Sequence, residues 1–142
     1  MKVIFEDANV RISLSQREGE NACVCFTGVG HALGGIDVQK EEFTRLNNVG
    51  VIIFITDKKR SWGNFLEFPQ IIDTIASYLD GKEIYSLGNS MGGFLSVIFT
   101  RYIKVKCSVS FVSQYSVSKK IIPTENRWNV YTNKINKFTY PS

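Results

Sequence analysis

The sequence predicts an α/β fold, a mostly parallel sheet of about six strands with helices on both faces, and three observations predict it. From Ala22 onward apolar strand runs alternate with amphipathic helical stretches, and parallel neighbours need such crossovers. Val51-Ile52-Ile53-Phe54-Ile55 is an unbroken apolar run of the kind that suits a strand buried on both faces. Gly88-Asn89-Ser90-Met91-Gly92 stands between a predicted strand and a predicted helix, where an α/β sheet presents its chemistry.

In chain order, Lys2 to Phe5 and Val10 to Leu14 carry alternating apolar residues, and Ala22 to Phe26 is nearly all apolar, so each reads as a strand. The glycine-rich segment from Gly28 to Gly35, which holds His31, follows as a loop. Val38 to Leu46 reads as a short helical stretch with Phe43 and Leu46 on one side, and Val51 to Ile55 as the next strand. Pro69 suits a first helical turn, Ile71, Ile72, Ile75, Ala76 and Leu79 recur at helical spacing, and Gly81 closes the segment. Ile84 to Leu87, Met91 to Tyr102 and Cys107 to Val112 continue as strand, helix and strand. Beyond Ser113 the pattern weakens. Residues 1–142 are expected to form one domain, with a core over 1–115 and an irregular or partly helical tail over 116–142.

Composition bounds the function classes. The 142 residues are 44% hydrophobic and 13% aromatic, enough for a real core. The apolar stretches are all short and the first residues lack the apolar middle of a signal peptide, which predicts a cytoplasmic chain with no membrane span. Cys23, Cys25 and Cys107 make neither a disulfide framework nor paired zinc clamps and read as small buried hydrophobes. The formal charge of +4 is basic but interrupted by acids such as Glu41, Glu42, Glu67 and Glu83, which argues against a nucleic-acid partner.

The chemistry sits at Ser90. A serine on a sharp strand-to-helix turn needs small neighbours, and Gly88, Gly92 and Gly93 meet that need. The helix start directs the Met91 N–H at a developing oxyanion, and Gly28 lets the backbone bring the Val29 N–H against the same oxygen. No Gly-Lys-Ser/Thr follows these glycines, so the turn is not a phosphate-binding loop. No metal-ligand cluster stands out, and acyl chemistry at such a serine requires neither metal nor cofactor.

Together these residues resemble the α/β-hydrolase superfamily over about residues 1–115. Ile55-Thr56-Asp57-Lys58-Lys59-Arg60-Ser61-Trp62-Gly63-Asn64, taken with the Ser90 turn, is similar to segments of hydrolase-like proteins encoded among bacterial capsule and surface-polysaccharide genes. The resemblance implies a serine-dependent acyl hydrolase or acyl transferase acting on a small-molecule or glycan ester, on a truncated form of the hydrolase fold. The superfamily's acid and histidine follow the serine along the chain, yet here the one histidine, His31, precedes it and the one carboxylate residue after it is Glu125. Two explanations stay open. Either His31 and Asp57 serve Ser90 from loops on the same sheet edge, or the chain is a catalytically silent module or the N-terminal part of a split enzyme.

The remaining candidates each have two readings. Lys58, Lys59 and Arg60 form a solvated loop or an anionic-substrate clamp, Trp62 stacks on a sugar or packs over a helix, and Gln114 and Tyr115 line the Ser90 cleft from a strand end. The tail aromatics are expected to cover a sheet edge left open, and an edge left uncovered predicts a homodimer through it.

Overall fold

The computed structural model describes residues 1–30 and 38–140. It contains β1 (Lys2–Glu6), β2 (Val10–Gln16), β3 (Asn21–Phe26), β4 (Val51–Asp57), α1 (Phe68–Leu79), β5 (Glu83–Asn89), α2 (Met91–Phe99), β6 (Cys107–Phe111) and α3 (Asn129–Thr132). The six strands form one sheet in the order β1-β2-β4-β3-β5-β6. The hairpin β1–β2 runs antiparallel and joins β4 antiparallel, whereas β4, β3, β5 and β6 are mutually parallel. Every strand and both long helices read from the sequence are present.

Apolar patterning explains which elements cover the sheet. Ile12, Leu14, Val24, Phe26, Ile53 and Ile55 form one cluster with Phe68, Ile71 and Ile75 of α1 and Leu95, Ile98 and Phe99 of α2. Both long helices thus lie on the same face. Val51 to Asp57 is buried throughout, as a strand packed on both faces must be. Burying one more leucine-sized side chain there stabilises the fold by roughly 2 kcal/mol.

The opposite face carries Cys23, Cys25, Ile52 and Phe54, and among the described residues it is covered by Phe43, Leu46 and Val49. Residues Val38 to Leu46 form no helix, which corrects that expectation; among the described residues both long helices cover the other face. The segment's carbonyls are taken by Arg11 of β2 and by Arg17 just after it, instead of by N–H groups of a helix. The Arg11 guanidinium donates to the Gln39 carbonyl at 3.4 Å, and Arg17 donates to Leu46 at 3.0 Å and Thr44 at 3.4 Å. Glu41 accepts from Ser13 Oγ at 2.9 Å and Arg11 Nε at 3.2 Å. With backbone groups satisfied this way, Phe43 and Asn48 adopt left-handed φ angles of 63° and 59° that a helix excludes.

The tail also departs from expectation. Trp128 packs on Trp62, ring centroids 6.0 Å apart, and Tyr140 meets Phe68 edge-on at 5.9 Å while its hydroxyl pairs with that of Tyr102. These aromatics therefore seal the α1 side of the core, while the β6 edge keeps Val109 and Phe111 exposed. Cys107 is likewise exposed, because it opens that edge strand; Cys23 and Cys25 are buried as predicted. No helix of the described residues is long and apolar enough to cross a membrane.

Candidate active site

Ser90 stands between β5 and α2 with φ 56° and ψ −121°, far from ordinary strand or helix geometry. Two hydrogen bonds hold it there. Its N–H donates to the Phe111 carbonyl at 2.9 Å, tying the turn to the end of β6, and its carbonyl accepts the Phe94 N–H at 3.1 Å, opening α2. A Cβ on Gly92 would overlap the Phe26 carbonyl, and one on Gly88 would overlap Gly92 itself, so the turn closes only with glycine at both places. The Ser90 side chain is half-buried and its hydroxyl makes no hydrogen bond among the described residues.

The loop after β3 faces this turn. Thr27 occupies the position before Gly28; its N–H donates to Ile55 at 3.0 Å and its hydroxyl meets that of Thr56 at 3.1 Å. Gln39 Nε2 bridges the Gly28 carbonyl at 3.2 Å and the Asp57 carbonyl at 2.9 Å, and Arg60 Nε donates to the Val29 carbonyl at 2.8 Å. Since a trans peptide points its N–H opposite its carbonyl, fixing the Gly28 carbonyl on Gln39 turns the Val29 N–H the other way. Neither the Val29 nor the Met91 N–H donates to an acceptor among the described residues. Gly28, Val29, Gly30, Asn89 and Ser90 line one small cleft of about 140 Å³.

Two further residues line that cleft, and sequence reasoning missed both as site residues: Glu42 and Trp128. Glu42 Oε2 accepts the Gly28 N–H at 3.4 Å, and burial pushes its carboxyl above the usual range. The next residue, Phe43, is in a left-handed conformation and stacks on Phe111 at 6.1 Å. No sequence signal marked Glu42, since its position depends on that irregular segment.

The other predicted residues are distributed differently. Asp57 is fully buried at the end of β4, where Oδ1 accepts the Lys59 N–H at 3.2 Å and Oδ2 accepts the Ser61 N–H, the Ser61 hydroxyl and the Gly63 N–H at 3.0, 2.8 and 3.0 Å. Its carboxylate is consumed by its own turn, which removes it from the relay expected with Ser90. Burial pushes its pKa up while those donors oppose the shift. Lys58 turns away to Glu6 Oε1 at 2.8 Å and the Asp7 carbonyl at 2.6 Å, so it clamps the β1–β2 hairpin and no substrate. Trp62 is wholly buried against Trp128 and cannot stack on a sugar. Gln114 and Tyr115 line a separate cavity with Phe94, Ile98 and Arg101. Arg60 remains beside the site through Val29, its guanidinium 5.1 Å from the Tyr131 ring centre. Glu125 is paired with Arg127. His31 lies outside the described residues.

Similar folds occur among solved structures. The capsule O-acetyltransferase of Neisseria meningitidis serogroup A aligns with a TM-score of 0.65 and 16% identity, covering 87% of this chain and 56% of that one. A histidine-to-alanine variant of the same enzyme, captured with CoA, aligns with a TM-score of 0.65 at 16% identity over 87% of this chain and 55% of that one. A protein of unknown function from Staphylococcus aureus aligns with a TM-score of 0.58 at 18% identity, covering 90% of this chain and 50% of its own. The chain spans about half the length of these structures, and at such identities the likeness is one of fold. No protein-family model and no curated protein matches it.

Proposed function

We propose that this protein is a serine-dependent acyl transferase or acyl hydrolase of α/β-hydrolase type that works on an ester of a surface glycan. The observation that carries the reading is the Ser90 backbone, φ 56° and ψ −121°, at a strand-to-helix junction with an unengaged hydroxyl. In the proposed step Ser90 Oγ bonds to the acyl carbon, the Met91 and Val29 N–H groups hold the oxyanion, and the leaving group departs with a proton. An acceptor hydroxyl, or water, then attacks the acyl-serine and regenerates Ser90. Resemblance to a capsule O-acetyltransferase that has been captured with CoA favours transfer and a CoA-type donor.

The proton taken from Ser90 needs a base in this cleft. Glu42 lines it, and His31 follows Gly30 directly in the sequence. A carboxyl raised by burial is a stronger base than a solvated one, which supports Glu42. Labelling by a fluorophosphonate probe tests the reading: wild type is modified and Ser90→Ala is not. Equal labelling of both proteins refutes it.

The β6 edge favours a second reading, a module that binds through its sheet without turnover. Val109, Phe111 and Val112 are 41%, 49% and 82% exposed beside an edge with no further strand among the described residues. That version predicts a homodimer by light scattering and no probe labelling.

A further inference from the structure

The charge of this chain is unevenly placed. Of its 17 basic and 13 acidic residues, residues 1–113 hold equal numbers, while residues 114–142 hold Lys119, Lys120, Arg127, Lys134 and Lys137 against Glu125 alone. The whole formal excess of +4 therefore belongs to the tail. Arg127 and Glu125 neutralise each other, with Nε to Oε1 at 3.0 Å, so the excess is four lysines.

Three of those lysines line one open cavity of about 570 Å³, within the size range of small-molecule sites. Lys119 and Lys120 are carried on a turn in which the N–H groups of Ile121 and Ile122 both donate to the Ser118 carbonyl at 2.9 Å, and Lys137 comes from the chain after α3. Val117, Ile135 and Phe138 give the cavity an apolar lining, and Thr132, Asn133 and Asn136 add hydroxyl and amide groups. No acidic residue lines it, and none of the three lysines has a carboxylate within ion-pair distance among the described residues. Exposed lysines around one cleft with no counter-charge give it a positive field that favours a multivalent anion.

We propose that this cavity is a binding site for a phosphate-bearing small molecule with an aliphatic arm, held by Lys119, Lys120 and Lys137 at the phosphates and by Val117, Ile135 and Phe138 along the arm. Trp128, the residue before α3, lines the Ser90 cleft, and Thr132, the last residue of α3, lines this cavity, so the same short helical segment contributes to both. That the arm delivers an acyl group to Ser90 rests on the function proposed above; the phosphate site itself does not.

Calorimetric titration of the full chain with CoA and with inorganic pyrophosphate tests it. Both bind, compete with each other and weaken as salt rises; CoA binds the tighter because of its arm. Lys119→Ser/Lys120→Ser/Lys137→Ser weakens CoA about tenfold or more, since each lost charge-assisted contact matters. The single variant Lys137→Ser shows a smaller loss in the same direction, and Phe138→Ala weakens CoA while leaving pyrophosphate unchanged. Absence of CoA binding to wild type, unchanged affinity in folded lysine variants, or equal affinity for a single-stranded oligonucleotide overturns the proposal. Fluorophosphonate labelling of the same samples separates the two claims. Lysine variants that lose CoA but keep a reactive Ser90 support both, whereas loss of CoA in the variants of a chain whose Ser90 never reacts leaves the phosphate site and removes the acyl role.

Discussion

Two turns at the same edge of the sheet invite comparison, the one after β4 and the one after β5. Both hold non-glycine residues at positive φ: Arg60 and Trp62, each at 51°, in the first, and Ser90 at 56° in the second. In the first, Asp57 gathers four donors, the Arg60 N–H donates to the Asp57 carbonyl at 3.1 Å, and Trp62 is packed on Trp128. In the second, the Ser90 hydroxyl and the Met91 N–H are left without acceptors among the described residues. Backbone strain is common to both. What separates a structural turn from a candidate reactive one is a hydroxyl left unspent beside an open cleft; the polar group that the first turn leaves unpaired, Trp62 Nε1, is sealed in the core.

Substitutions at each turn sharpen that difference. The largest effect is expected for Ser90→Ala: ester turnover falls about 10⁴-fold while the melting temperature stays within a degree or two of wild type. An unchanged rate in a clean preparation breaks the comparison at its reactive side. Asp57→Ala should do the reverse. It strands buried donors, destabilises the fold by about 3 kcal/mol in denaturant titration and leaves the Ser90 labelling rate of the folded fraction near wild type.

Glu42→Gln comes next, with a loss of about 10²-fold in kcat/KM, the contribution typical of a general base. The pH profile gives the sign. Glu42 accepts a proton only when ionised, and burial raises its pKa, so wild-type activity climbs through an inflection above the ordinary carboxylate range and Glu42→Gln loses that inflection. A pH inflection that survives in Glu42→Gln and is abolished by His31→Ala assigns the proton to the histidine instead. The smallest effect belongs to Lys58→Ala. Its ion pair with Glu6 is exposed, so stability changes by under ~1 kcal/mol and turnover does not change.

Much of this was legible in the sequence because it is governed by short-range rules. Apolar period placed the strands and both long helices, and Pro69 and Gly81 bracketed α1 correctly. Gly88 and Gly92 announced the turn, since nothing larger fits against Gly92 and Phe26. The failures share another origin. Val38 to Leu46 has helical spacing, but Arg11 of a distant strand and Arg17 just after it take its carbonyls, and no local window contains that competition. Lys58, Trp62 and Gln114 stand near the right strand ends, yet hydrogen bonding to Glu6, packing on Trp128 and the course of the chain after β6 direct them elsewhere.

By itself, then, the order of residues determined a parallel α/β sheet and a serine at a strained junction, because hydrophobic period and glycine sterics act over a few neighbouring positions. Tertiary structure alone decided which side chains surround that serine. Glu42 lines the cleft beside the stacked pair Phe43 and Phe111, Asp57 is withdrawn by its own turn, and three lysines of the tail line one cavity. Each of those outcomes depends on contacts between segments far apart in the chain, where the energy of a hydrogen bond or an apolar contact is set by partners the local sequence does not contain.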